Sequence, residues 1–161
     1  QHEYPNLLDS EDAHLVARHS HEACQYLWSL HEEDRLELEF SPIDHRIVYH
    51  QPCHSRVLDR EPTAASLMRL IPGIQVDVVG KGCSGMAGTW GLHRKNFRNS
   101  LRIGWPMISA VRKVADAAPS TECSACKLQM EHGGDYTAVH PLKLLAHAYG
   151  RLPRPELRND S

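Results

Sequence analysis

The sequence has no surplus of charge of either sign. Eighteen Lys and Arg stand against twenty Asp and Glu, for a net charge of −2. That balance argues against a nucleic-acid partner, whose phosphates need a basic surface. It also has no apolar run near the roughly 20 residues of a membrane span. No signal peptide opens the chain, and Gln1 is not a natural start, so the sequence reads as a piece of a longer polypeptide. There is no G-x-G-x-x-G dinucleotide fingerprint and no evident acid–base pair for hydride chemistry. Cysteines are few and odd in number: Cys24, Cys53, Cys83, Cys123 and Cys126. An odd set without a secretion signal argues against a disulfide framework.

What is present begins with periodicity. Residues 1–10 read as irregular. Ser10 reads as an N-cap, with Glu11 and Asp12 favourable in a first turn. Apolar residues then recur at helical spacing, which predicts one long helix over 11–32 with Cys24 inside it as a small buried hydrophobe. "RIVYHQ" at 46–51 reads as a strand, Thr63–Ile71 as a helix stopped by Pro72-Gly73, and "IQVDVVG" at 74–80 as the clearest strand. Residues 96–118 read as mostly helix, broken near Gly104 and Pro106. "APSTE" is a short strand before Cys123, followed by a helix over 124–132, a short strand at "AVHP" and a last helix over 142–149. The expectation is one α/β domain over 1–150, a small parallel sheet flanked by helices, with a tail or linker over 151–161.

In this reading Cys53, Cys83 and Cys123 each follow the carboxyl end of a different strand. Ligands of open parallel sheets bind at that edge. Cys126 joins them through Cys123-Ser-Ala-Cys126. A C-x-x-C pair alone is compatible with zinc, an iron–sulfur cluster or a thiol–disulfide couple. A redox couple does not need Cys53 and Cys83, so the placement favours an inorganic centre on four thiolates. Gly82, Gly85 and Gly88 would bring main-chain amides close to sulfur. His54 is a donor to the centre or a surface residue. His50 reads as structural and Trp90 as packing on the following helix.

"YHQPCH", "GCSGMAGTWG", "TECSACKLQMEHG" and "VHPLKLL", in that order and with "EYPNLL" near the start, resemble the cysteine-rich CCG domain family. That family includes the B subunit of heterodisulfide reductase, the C subunit of anaerobic glycerol-3-phosphate dehydrogenase, and iron–sulfur regions of flavin-linked D-lactate and glycolate dehydrogenases. The resemblance maps its first cysteine to Cys53, the first of its Cys-Cys pair to Cys83, and its final pair to Cys123 and Cys126. Ser84 stands where the second cysteine of Cys-Cys-Gly belongs. A serine hydroxyl is far harder to deprotonate than a thiol, which disfavours the family's five-cysteine noncubane cluster here. Four thiolates suit a 4Fe-4S cubane, with structural zinc as the alternative.

The resemblance implies electron transfer within an oxidoreductase, not catalysis by this domain alone. FAD is expected in another domain or subunit, which would oxidise a 2-hydroxyacid or glycerol-3-phosphate and pass electrons toward a quinone or other acceptor. It implies a cytoplasmic location, with peripheral association at the inner face of the membrane as a variant. The rivals are a zinc module, a metal-free thiol–disulfide domain acting through Cys123 and Cys126, and a metal-free assembly surface.

Overall fold

His45–His50, with its β-branched and aromatic Ile-Val-Tyr centre, forms β1, and its last four residues are all buried. A strand buried on both faces belongs in the middle of a sheet. In the computed structural model, which describes residues 3–58, 61–80, 82–114 and 116–157, β1 does lie in the middle. It pairs in parallel with β2, Ile74–Val79, from His45 opposite Ile74 to His50 opposite Val79. On its other side it pairs in parallel with β3, Ala117–Ser120, from Arg46 opposite Ala117 to Tyr49 opposite Ser120. The order β2-β1-β3 is that of an α/β protein.

The chain divides into two compact units, Gln1–Glu37 and Leu38–Ser161. The second holds the sheet. Between β1 and β2 run α4, Cys53–Leu58, and α5, Thr63–Arg69; between β2 and β3 runs α6, Phe97–Lys113. After β3 come α7, Ser124–His132, and α8, Pro141–Ala148. Side chains alternate across a strand. Val48 accordingly packs with Met107, Ile108 and Val111 of α6 and Met130 of α7. On the opposite face Ser120 reaches Met68 of α5 through a 3.8 Å O–H···S contact.

The first unit is three helices: α1, Glu3–Leu7, α2, Glu11–His19, and α3, Ala23–Glu32. The Ser10 hydroxyl accepts from the Ala13 amide at 3.2 Å, the N-cap its sequence predicts. The expected single helix over 11–32 is two. Ser20 adopts an extended backbone, and the Glu22 carboxylate accepts from the amides of Cys24 and Gln25 at 2.9 and 3.0 Å, starting a new helix. Residues expected to be irregular contain α1.

In the second unit, the segment expected to break near Gly104 and Pro106 is continuous from Phe97 to Lys113. Pro106 and Arg102, whose carbonyl loses its intrahelical donor, are both exposed, so water can serve that carbonyl. The same segment ends at 113 rather than 118, because Ala117 and Ala118 join the sheet. "AVHP" makes one parallel bridge, Val139 to Ser120, and no longer strand.

Candidate metal centre

Each strand hands the chain to a loop carrying a cysteine. Cys53 opens α4 just beyond β1, Cys83 follows β2, and Cys123 is the N-cap of α7 just beyond β3. Because β1 lies between the other two, the chain reverses its winding at the carboxyl end of β1, the kind of crevice where open α/β sheets take ligands. One cavity of about 220 Å³ there is lined by Cys53, Cys83, Cys123 and Cys126, together with His54 and Ser84. The Cys53 and Cys83 sulfurs lie 3.8 Å apart, and the Cys126 thiol lies 3.3 Å from the Ser84 hydroxyl. Cys24, in α3, is buried and is not among the lining residues.

The loop from Gly82 is shaped from two sides. The Gly85 amide points at the Cys83 sulfur at 3.3 Å, an N–H···S contact of the kind that steadies a ligating thiolate. The glycine itself is required by α6. At Gly85, where φ is +81°, a Cβ would stand 2.2 Å from the Ser100 carbonyl oxygen; at Gly104 one would stand 2.3 Å from the Ser84 carbonyl oxygen. Helix and loop backbones therefore touch, and only glycine on both sides permits it. Arg56 of α4 ties the loops after β1 and β2 together, donating from Nη2 to the Gly82 carbonyl at 2.6 Å and from Nε to the Gln51 carbonyl at 3.1 Å.

The thiols are electrostatically unlike. A hydrogen bond from Cys126 brings the Cys123 thiol down to about 5, helped by the amides of Cys126 and Ala125 at the start of α7 and by His54, against the opposing effect of burial. Cys126, as the donor to Cys123 and buried, is pushed strongly upward, while Ser84 pulls it the other way. Cys53 is raised by desolvation and then by its neighbour Cys83.

A tetrahedral single-ion site with sulfur bonds of about 2.3 Å sets its sulfurs about 3.8 Å apart. The Cys53–Cys83 separation matches one such edge. Among the described residues, however, no three His, Cys, Asp or Glu side chains gather tightly enough for one ion. The four thiols surround a space instead of a point, which suits a polynuclear centre whose ligands sit on different atoms. The donor set and the cavity fit an iron–sulfur cluster.

The structure brings together every cysteine expected at the centre, with Ser84 and His54. Of the three glycines Gly88 lines the cavity, while Gly82 and Gly85 are not among its lining residues and pack against α6, Gly82 facing Met107 and Pro106. Trp90 is 39 % exposed. Arg56 was not anticipated, and only its place one turn after Cys53 hints at it. Gln129 was also missed. It is fully buried three residues after Cys126, and its amide donates to the Ser100 hydroxyl at 3.1 Å. His50 is fully buried, and neither ring nitrogen has a partner. Burial, then the Arg56 charge, lowers its pKa to about 4, so it is neutral at physiological pH.

A parallel sheet with cysteines just past the carboxyl ends of all three strands defines a cysteine-rich α/β domain. The chain belongs to the cysteine-rich domain family CCG, whose model matches residues 47–131. The C subunit of anaerobic glycerol-3-phosphate dehydrogenase from Escherichia coli, in strain K12 and in O157:H7, is 32% identical over 146 residues, which is 91% of this chain. The chain spans 36% of the length of those relatives. No solved structure matches it significantly. No helix among the described residues is long and apolar enough to cross a membrane.

Proposed function

We propose that this chain is the electron-transfer domain of a flavin-linked dehydrogenase, with an iron–sulfur cluster of the 4Fe-4S type on Cys53, Cys83, Cys123 and Cys126. The observation that carries this reading is the meeting of four thiols, from the segments that follow three separate strands, around one cavity. Such a cluster accepts and releases single electrons when bound. The chain's own part is to hold the four sulfurs, to direct the Gly85 amide at Cys83, and to fix the loops through Arg56. Likeness to part of a glycerol-3-phosphate dehydrogenase supports that substrate ahead of a 2-hydroxyacid for the parent enzyme. FAD sits in another domain or subunit, the acceptor is a quinone or a second carrier, and the assembly works in the cytoplasm or against the inner face of the membrane.

A second reading has its own support: Cys123 is an acidic thiol with Cys126 donating to it, the arrangement of a thiol–disulfide couple. Metal analysis after anaerobic purification separates the two. Iron and sulfide, with brown thiolate-to-iron absorption, are expected. Stoichiometric zinc without iron would establish a structural module, and metal-free protein with a reversible Cys123–Cys126 disulfide would establish the couple.

A further inference from the structure

The balanced net charge conceals a strong local segregation. From Val78 to Ala115 there is no Asp or Glu, although the chain has twenty. The same stretch carries Arg94, Lys95, Arg98, Arg102, Arg112 and Lys113, all exposed, and none is in an ion pair among the described residues. Helical spacing sets Arg98, Arg102, Trp105 and Arg112 along one outward face of α6. Trp105 is 53 % exposed, with the Arg112 guanidinium 6.0 Å from its ring centre. The opposite face of α6 is the one buried by Ser100, Gly104, Met107, Ile108 and Val111.

Next to this basic face, another flank of α6 meets the loop that carries Cys83. A shallow apolar depression of about 520 Å³ is lined by Cys83, Gly85, Ala87, Trp90 and Ile103. Ile103 is exposed on α6, beside the arginines in sequence. An apolar, aromatic centre with a charged rim is the anatomy of a protein interface, and arginine and tryptophan are the residues that anchor such contacts.

Resting on the electron-transfer reading above, we infer that the outer face of α6, with the depression beside Cys83, docks an acidic-surfaced electron-carrier protein or domain. Two observations fix the occupant. A stretch with six exposed cations and no carboxylate of its own calls for an acidic partner, which the field would steer and orient. The depression opens directly on a cysteine of the centre, so an occupant carrying its own redox group is brought within short reach of it, whereas a lipid headgroup there has nothing to exchange. In the transfer the reduced centre of this chain loses one electron and the partner's centre gains it; no bond is made or broken. Redox encounters of this kind are small, below about 1,200 Å² of buried surface, and one helix face with its adjoining loop supplies that scale.

The test is zero-length carbodiimide coupling of the chain, in its full-length protein, to an acidic plant-type ferredoxin, with the joined residues mapped by mass spectrometry. Carbodiimide links carboxylates to lysine, so Lys95 and Lys113 report on the face while exposed Lys143 of α8 serves as control. Coupling at Lys95 and Lys113 is expected to exceed that at Lys143 by about tenfold. It should vanish between about 0.01 M and 1 M salt, where the screening length falls from about 30 to about 3 Å. Arg98→Glu with Arg102→Glu should abolish it; both residues are exposed, and an unchanged melting temperature verifies the fold. Equal coupling at Lys143, or coupling indifferent to the charge reversals, overturns the proposal. So does a face that binds phosphatidylglycerol vesicles, an oligonucleotide or a second copy of the chain through these arginines but not ferredoxin. Coupling needs no metal. A chain that couples as expected yet takes up no iron refutes the electron-transfer reading and leaves the docking face standing.

Discussion

Gly104→Ala is expected to destabilise the protein even though alanine is the better helix former. Gly104 lies well inside α6, where the exchange by itself is worth about 1 kcal/mol in alanine's favour. The added methyl, however, would stand 2.3 Å from the Ser84 carbonyl oxygen, 3.1 Å from its carbon and 3.0 Å from the Gln129 amide nitrogen. The first of these is about 1 Å short of ordinary contact. A backbone carbonyl has no rotamer to change, so the loop carrying Cys83 and Ser84 must move off the helix. Overpacking costs about 1–3 kcal/mol, and this case belongs at the top of that range. The net loss is about 2 kcal/mol, which for a protein of this size is a fall in melting temperature of about 4–8 °C. Asn99→Ala is the control: it is exposed on the same helix and should raise the melting temperature by a degree or two through propensity of about 0.5 kcal/mol. The measurement is thermal unfolding followed by circular dichroism. If Gly104→Ala melts with or above the parent while Asn99→Ala behaves as stated, the helix and the loop are not in backbone contact and the account of Gly85 fails with it.

Three further outcomes are expected. Ser84 is buried with its hydroxyl 3.3 Å from the Cys126 sulfur, so Ser84→Cys should add a fifth thiolate and alter the absorption and paramagnetic resonance of iron-reconstituted protein, while Cys83→Ser should sharply lower its iron; an unchanged Ser84→Cys spectrum would mean that residue 84 does not reach the cluster. In metal-free protein Cys123 should alkylate fastest, at a rate that levels off above about pH 6 and falls by half near pH 5; this thiolate stabilises the fold as pH rises from about 5 toward the ordinary thiol value of 9.0, and that stability is lost as pH falls through 5, so a profile centred near 9.0 refutes the hydrogen bond from Cys126. Pro106→Ala should raise the melting temperature by about 2–6 °C, since it restores a donor to the Arg102 carbonyl at an exposed helix position and relieves up to about 3 kcal/mol of interior-proline cost; a lower melting temperature would show that the ring's packing near Gly82 outweighs the missing bond.

Two strands and their cysteines were legible in the sequence for a physical reason. β1 and β2 carry β-branched residues, in Ile47-Val48-Tyr49 and Val76 to Val79, and Cys53 and Cys83 each sit four residues past such a run. β3, Ala117–Ser120, has no β-branched residue and offered only its place just before Cys123. Parallel pairing then leaves those loops no edge but the same one. The purpose of the glycines was less legible. Their density pointed to backbone close to the centre, but at Gly85 the close approach is to Ser100 and Gly104, which are distant in sequence, and no local pattern records a contact of that range. The division at Ser20–Glu22 escaped for the opposite reason, being wholly local. The apolar spacing runs through it, and a single carboxylate turned back onto two amides decides the break. Pro106 was over-read, because a proline ends a helix only where the orphaned carbonyl cannot find water. Arg56 was barely legible beyond its place one turn after Cys53, since its partners are carbonyls on two different loops.

The strand order has a consequence in time. β1 waits in the middle for a neighbour on each side, and the second, β3, comes last in the chain. Cys53 and Cys83 therefore leave the ribosome well before Cys126, with 43 residues separating Cys83 from Cys126. At about 5–20 residues per second, that gap is about 2–9 s during which half of the thiols exist without their counterparts. Those early cysteines must therefore be kept reduced before the last strand exists, and whatever the four hold can be delivered only after that strand and Cys126 have been made.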